Sequence, residues 1–515
     1  MSNRSSDRSS NGSSGRSSDR SSDHPVAPVS PVSPVARIAT ASRVAVIGTG
    51  YVGLTTGACL ASLGHHVVCA DADPHKVDRL RRGEVDILEP RLPELVRDGQ
   101  ASGHLEFTQD TKASVAGAEV VFFCLPTPMG VGGAADLAAV EAVSDEIRTA
   151  LPHGCVVVNK STVPVGTAER VAALLGRPDI TVVSNPEFLR EGHAVHDFLH
   201  PDRIVIGAAE QEAARRVAGL YAPLDAPVVL TDTASAEIAK YAANFFLAMK
   251  LSFVNNLATL CEHFTADVDD VVAALGHDPR IGPAFLKPGP GWGGSCLPKD
   301  THALLTVCEE SGVEFPLLRA TIDTNVEHQS RLVERVVAEC SPGPGTPHDA
   351  RPGTLPGALP GAQPGARPSA LSGGPSDGSG GSAHGSLHGV TLALLGLTFK
   401  AGTSDLRDSP ALAIARRLRE RGAELRAYDP ALSETRPDLS DLLTIVDTPE
   451  KAVEGARACV VLTEWPQFRD LDWEAVAGLL TAPVVYDFRN LLDPDRLARA
   501  GLSWQGIGRS LAMVS

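Results

Sequence analysis

Four short stretches carry residues able to do redox or acyl chemistry. GWGGSCLPKD, Gly291 to Asp300, sets Cys296 between a glycine run and a Pro-Lys-Asp. The chain there reads as irregular up to Ser295 and helical beyond, which puts Cys296 at a helix N-terminus. The helix dipole and free N–H groups would lower the thiol's pKa at that position. Asp300, one turn on, shares its face. Such a cysteine is either a nucleophile or a small buried hydrophobe. SNPEFLREG supplies Glu187 and Glu191 at the end of an apolar run. They either line the sheet edge where ligands bind in α/β folds or are two surface glutamates. The segment from Thr233 to about Phe264 is apolar nearly all round, yet Glu237, Lys240, Asn244 and Asn255 fall within about 60° of one another on a helix. Either Glu237 and Lys240 form an ion pair at a helix end, or a buried Lys240 handles a proton or a developing alkoxide.

The fourth stretch is GTGYVG, Gly48 to Gly53. It follows an apolar strand and opens a helix. Gly48 permits the turn, Gly50 lets a pyrophosphate approach the backbone, and Gly53 lets helix and strand pack closely. HHVVCADAD then brings Asp71 to the end of a second strand, near the ~20-residue offset of a ribose-binding acid. A carboxylate there favours NAD over NADP; FAD is the rival ligand. Lys76 either reaches the ribose or phosphate or is a solvated helix charge. Alcohol oxidation by a nicotinamide needs a base and a hydride acceptor but no thiol, so Cys296 is either inert or the sign of a second chemical step.

These residues need a scaffold of strands and helices. RVAVIGTG, HHVVCAD, EVVFFCLP, CVVVNKS, ITVVSNPE and DRIVIGA are short apolar runs, most of them separated by helical patterns, which predicts a doubly wound parallel sheet. After Ser386 the strand-loop-helix-strand order recurs. The fold expected is therefore α/β: two Rossmann-like doubly wound domains joined by a long central helix, with a disordered N-terminal tail and a Pro/Gly-rich linker. The expected boundaries are a tail over 1–42, a dinucleotide domain over 43–232, a central helical unit over 233–340, an insertion over 341–388 and a second Rossmann-like domain over 389–515. The Ser-rich tail and the Pro/Gly-rich insertion lack the apolar content to build a core.

A chain of 515 residues with 43% hydrophobic and 21% charged residues has the composition of a soluble globular protein. A formal charge of −16 argues against a nucleic-acid partner. Nine cysteines without a C-x-x-C pair suggest reduced thiols and no zinc ribbon, hence a cytoplasmic protein and no metal. No secretory signal is visible, and the uncharged Val44–Gly64 segment suits a strand-turn-helix better than a membrane span.

Taken together and in order, AVIGTGYVGL, CLPTP, NKSTVPVGT, SNPEFLREG, PDRIVIG, EIAKYAANFFLAMKLSFVNNLA, DPRIGPAFLKPGPGWGGSCLPKD, LGLTFKAGTSDLRDSPAL and YDFRNLLDP resemble the UDP-glucose/GDP-mannose dehydrogenase family, on its UDP-glucose 6-dehydrogenase branch. They span nearly everything from Arg43 onward except the insertion. The resemblance implies a four-electron oxidation of a nucleotide sugar by two NAD, with UDP-glucose the expected substrate. It also implies a homodimer or higher homo-oligomer. Cys296 matches the nucleophile that captures an aldehyde as a thiohemiacetal and carries the thioester. Lys240, Asn244 and Asp300 match groups handling the C6 proton and oxyanion. Glu187 matches the carboxylate that assists water, with Thr162 holding a water nearby. Tyr51 and Val52 belong to the cofactor loop. Thr127, Glu191 and Lys299 match positions near the nicotinamide or its ribose. Phe188, Leu189 and Arg190 match the strand-end segment that meets substrate. The Phe285–Gly294 loop, with Gly289 and Gly293, matches the sugar-nucleotide cradle. Arg280 matches an arginine often supplied by a second subunit. Lys400, Arg407 and Arg489 match basic residues of the C-terminal domain facing substrate or cofactor.

The sequence departs from the family pattern at Trp292, where Tyr or Phe is usual, at Asn256, often Glu, and at Phe488, often Gly. Three alternatives stay open at this point. One is a sibling acting on GDP-mannose or UDP-N-acetylmannosamine. Another is a non-catalytic sugar-nucleotide binder. The third is a two-electron hydroxy-acid dehydrogenase.

Overall fold

The computed structural model describes residues 41–342, 386–432 and 436–509. Most of the expected tail and most of the expected insertion lie outside the described residues. An eight-stranded sheet forms from β1 (Arg43–Ile47), β2 (His66–Ala70), β3 (Leu105–Thr108), β4 (Val120–Phe123), β5 (Val156–Asn159), β6 (Thr181–Ser184), β7 (Ile204–Ala208) and β8 (Val228–Thr231). Its order is β3-β2-β1-β4-β5-β6-β7-β8. The apolar runs read from sequence supply six of these strands. β3 and β8 went unread because they are short edge strands with exposed or half-buried positions.

One pairing departs from the all-parallel expectation: β6 and β7 run antiparallel. A parallel neighbour needs a crossover connection. The segment between them holds only the helix Ala194–Leu199 and returns beside β6. That same segment carries SNPEFLREG, so the reversal keeps both glutamates near the end of β6.

A second sheet comprises β9 (Thr391–Leu395), β10 (Glu424–Tyr428), β11 (Thr444–Ile445), β12 (Ala458–Val461), β13 (Val484–Asp487) and β14 (Ser503–Gln505), in the order β11-β10-β9-β12-β13-β14. All its pairings are parallel. The expected boundary at 388/389 is slightly late. Leu387 is already fully buried in this unit, and its N–H donates to Arg421 O.

A 32-residue helix, Thr233–Phe264, joins the two sheets. Its second half, at Ala258 and Cys261, packs with the helix Pro316–Cys340 into the same apolar core as β9, β10 and β12. The central unit is thus continuous with the C-terminal domain. At its other end, Glu237 leaves the expected partner Lys240 aside. Its carboxylate accepts from Gly166 N at 2.7 Å, Ala168 N at 3.1 Å and Ser184 Oγ at 2.8 Å. It thereby caps the helix Thr167–Leu175 and clamps the long helix onto the ends of β5 and β6. Glu237→Ala would orphan three donors, two of them buried. We expect it to lower unfolding stability by about 3 kcal/mol in denaturant titrations.

Candidate active site

The segments at the carboxyl ends of β5 and β6 meet one end of the long helix, and its polar residues Glu237 and Lys240 turn toward them. Lys240 and Asn244, one turn apart, are both buried. Lys240 Nζ meets Glu187 Oε1 at 3.0 Å, with both side chains almost out of water. Burial alone would pull the ammonium down, but Glu187, Cys296 and Asp300 hold it above the ordinary lysine value. Burial likewise pushes Glu187 up, and Lys240, with Leu189 N at 2.6 Å, more than reverses this. Both groups are therefore charged between the ordinary carboxylate and lysine values, ~4.3 and ~10.4. Asn244 Nδ2 donates to Asp300 Oδ2 at 2.5 Å, and Lys299 Nζ reaches Asp300 Oδ1 at 2.5 Å. Asp300 is 1% exposed. The carboxylate therefore lies behind the cavity wall, in contact with the wall residue Asn244.

Cys296 caps the helix Leu297–Glu310, where the sequence places it, but the expected lowering of its pKa does not follow. Burial pushes the thiol up and Glu187 adds to this, outweighing Lys240. Its backbone is already helical, with φ −110° and ψ −59°, and its side chain makes no capping bond. Cys296 is thus held as the thiol, with Ser295 Oγ 3.6 Å from Sγ.

A cavity of about 920 Å³ opens over Cys296. Its walls include Glu187, Phe188, Leu189, Arg190 and Glu191 after β6, Lys240 and Asn244, then Phe285, Gly289 and Gly293, with Lys400 and Arg489 from the C-terminal domain. The glycine loop is held by a polar clamp. Asn255 Oδ1 accepts from Gly289 N at 2.9 Å, and His328 Nε2 bonds Gly289 O at 2.8 Å. Burial takes His328 down to about 4, so it stays neutral and donates there. Asn325 bonds both the N–H and the carbonyl of Trp292, whose Nε1 donates to Ser252 Oγ at 2.9 Å. Trp292 is thus a wall residue with its polar edge satisfied, which accommodates the departure noted in the sequence. A Cβ at Gly293 would meet Asp408 O at 2.0 Å, so only glycine lets the loop lie against the C-terminal domain.

Glu191 sits at the junction of the strand-end loop, the cysteine loop and the C-terminal domain. It accepts from Ser295 Oγ at 2.9 Å and Thr403 Oγ1 at 3.3 Å, and its carbonyl accepts from Lys400 Nζ at 2.6 Å. Arg407 pairs with Glu191 and Asp405. Arg489 is anchored by Leu462 O, Phe399 O and Glu464. Thr127 Oγ1 donates to Thr162 O at 2.9 Å, joining the position expected near the nicotinamide to the one expected to hold a water. Arg280 does not reach this cavity within one chain; it is exposed and pairs with Asp278.

The dinucleotide loop fits its expected ligand. A Cβ at Gly48, φ +93°, would meet Cys124 O at 2.4 Å, and one at Gly53 would meet Gly48 O at 1.8 Å. Gly50 has nothing within 4 Å of its Cβ position, leaving room for a pyrophosphate at the start of the helix Tyr51–Ser62. Val52 is half-buried in that first turn. Tyr51 Oη accepts from Gly192 N at 2.6 Å and bonds Glu89, tying the loop to the Glu191 segment. Asp71 accepts from Thr49 N at 2.9 Å and Thr49 Oγ1 at 2.6 Å, with Lys76 Nζ at 3.3 Å. Burial pushes Asp71 up, but these donors hold it below the ordinary carboxylate value. Lys76 is therefore the partner of Asp71. Among the described residues no group of three or more His, Cys, Asp or Glu could hold a metal ion. Among them, too, no helix is long and apolar enough to cross a membrane.

Known proteins share this sequence and fold. Three segments match UDP-glucose/GDP-mannose dehydrogenases: the NAD binding domain over residues 42–225, the central domain over 234–327 and the UDP binding domain over 393–494. The chain belongs to the UDP-glucose/GDP-mannose dehydrogenase family. A UDP-glucose 6-dehydrogenase of Pseudomonas aeruginosa is 40% identical over 487 residues, spanning 91% of this chain and 98% of that one. UDP-glucose 6-dehydrogenase TuaD of Bacillus subtilis is 38% identical, spanning 91% and 93%. The solved UDP-glucose dehydrogenase of the archaeon Pyrobaculum islandicum superposes with a TM-score of 0.76 at 34% identity, covering 92% of this chain and 99% of its own. As in the family, NAD is the cofactor, and it is the glycine loop and Asp71 that fit it.

Lys160 and the clamp residues Ser252, Asn325 and His328 were not singled out from sequence. Lys160 lies inside NKSTVPVGT, but only the fold shows it buried at a strand end; the clamp draws on two helices far apart in the chain. Asp71→Ala removes the carboxylate that would meet a ribose. We expect the Kd for NADH, read by fluorescence titration, to rise roughly tenfold, with a smaller margin over NADPH.

Proposed function

We propose that this chain oxidises UDP-glucose to UDP-glucuronate in two NAD-dependent rounds, with the intermediate held on Cys296. The observation that carries the reading is the meeting of Cys296, the Lys240–Glu187 pair and Asn244 in one cavity shared by the dinucleotide and C-terminal domains. NAD, when bound, accepts the hydride in each round. In the first, Glu187 takes the C6 hydroxyl proton and releases it to solvent as the alcohol becomes an aldehyde, and Lys240 and Asn244 face the oxygen. The neutral thiol then adds to the aldehyde. The C–S bond forms and the thiol proton ends on the former carbonyl oxygen, so no preformed thiolate is required. Glu187 takes that hydroxyl proton in the same way as the second hydride leaves, which gives a thioester. Water then attacks the acyl carbon as Glu187 takes its proton. The C–S bond breaks, sulfur is reprotonated, and the acid leaves as a carboxylate. Covalent capture also keeps a reactive aldehyde from escaping.

A second copy of the chain completes the picture. Phe246, Phe253 and Leu260 repeat every seven residues along the long helix, each at least half exposed, and such a stripe suits burial against a partner. Arg280, free of the cavity in its own chain, is then available to the partner's. All nine cysteines are free thiols, which suits the cytoplasm.

A substrate panel followed by NADH absorbance tests the reading. UDP-glucose should support turnover, while GDP-mannose and UDP-N-acetylmannosamine should not; activity confined to either sibling substrate overturns it. In Cys296→Ser, UDP-glucose binding persists but the reaction stalls after the first oxidation. Continued formation of the acid by that variant would falsify the thioester route.

A further inference from the structure

Lys160 is the first residue past β5 and is 5% exposed, yet it lines the wall of the cavity. Its hydrogen bonds go to uncharged oxygens, Asn185 Oδ1 at 3.1 Å and Tyr221 Oη at 3.3 Å. The Tyr221 and Phe198 rings lie 5.5 Å and 6.0 Å from Nζ. Among the described residues no carboxylate pairs with it. An unneutralised cation taken out of water is costly, and apolar replacement is often neutral or stabilising, so its presence asks for a use.

What surrounds it suggests one. Asn185 is fixed from every side: Tyr221 Oη donates to its Oδ1 at 2.7 Å, its Nδ2 donates to Val205 O at 2.7 Å, and its N–H donates to Asn159 O at 2.9 Å. Glu187 follows two residues later in the same loop. The groups facing Lys160 are Cys124 after β4, Asn185 and Glu187 after β6, Phe198 and Tyr221 from the neighbouring helices, and Lys240 from the long helix. Among these Glu187 is the only carboxylate, and its lowered pKa owes part of its shift to Lys160.

We propose that Lys160 is a positioning residue for thioester hydrolysis, acting on Glu187 through the Asn185 anchor and through a charge that no other carboxylate neutralises. This rests on the reading of Cys296 and Glu187 given above. Burial pulls the Lys160 ammonium down to about 8, against the opposing pull of Cys124 and Glu187. The cation is therefore largely present at neutral pH and lost as pH rises through that value.

Two full-length variants separate charge from scaffold. Lys160→Met removes charge and donor; Lys160→Gln removes the charge but keeps a donor for Asn185. Both should lower kcat roughly tenfold or more while KM for UDP-glucose stays within about threefold. The acid limb of the kcat–pH profile should move up by about one unit, because Glu187 loses a neighbouring cation. Acyl-Cys296 should accumulate in mass spectra of quenched protein. The proposal is overturned if the Gln variant matches wild type in rate and pH profile, or if neither variant folds, which would make Lys160 a stability residue. If the wild-type chain fails to oxidise UDP-glucose, the fault lies with the functional reading; if it turns over and the variants match it, the fault lies with Lys160.

Discussion

Where the long helix crosses the end of the first sheet, a lysine and a glutamate meet at 3.0 Å with almost no water around them. Each is costly alone, and removing either would leave an uncompensated buried charge. The pair therefore fixes the distance between two separately folded surfaces, the strand-end loop of the dinucleotide domain and the central helix. Glu237, three residues before Lys240, repeats the tie by capping the helix after β5. Everything that must converge on one carbon atom is referenced to this crossing: the cysteine loop through Asp300 and Asn244, and the C-terminal domain through Glu191 and Lys400.

The two Rossmann-like units treat the same structural position differently. At the end of its second strand the first unit places Asp71, which keeps part of its surface open beside Gly50. The second unit places Asp429 at the end of β10, where Leu397 N, Thr398 N, Thr398 Oγ1 and Trp465 Nε1 all converge on Oδ2 and leave the residue 1% exposed. An acid so enclosed has no face for a ribose. The duplicated architecture thus supplies one dinucleotide site and one domain whose basic residues, Lys400 and Arg489, are turned to the shared cavity.

Much of this was legible in the chain. GTGYVG with Asp71 marks the cofactor loop, and only glycine tolerates the backbone approaches at Gly48 and Gly53. The stripe of Glu237, Lys240, Asn244 and Asn255 is plain from helical periodicity, and all four are buried. Their partners were not legible. The pairing of Lys240 with Glu187, 53 residues away in sequence, depends on how two domains dock, and periodicity carries no such information. The thiol's pKa was read from its place at a helix start, a local rule, but burial and the nearby carboxylates decide it. A parallel sheet is the expectation because helical patterns separate most of the apolar runs, but the connection before β7 holds only the six-residue helix Ala194–Leu199 and β7 runs antiparallel to β6. Arg280 lies outside the cavity of its own chain, exposed and paired with Asp278.

The central claim is that one cavity performs two successive oxidations on one carbon with the intermediate bound to Cys296. Its most direct test is the NADH formed per UDP-glucose when UDP-glucose is the limiting and sole sugar. The account predicts two NADH per sugar, with UDP-glucuronate as the only accumulating product. One NADH per sugar, with a free aldehyde in solution, would contradict it.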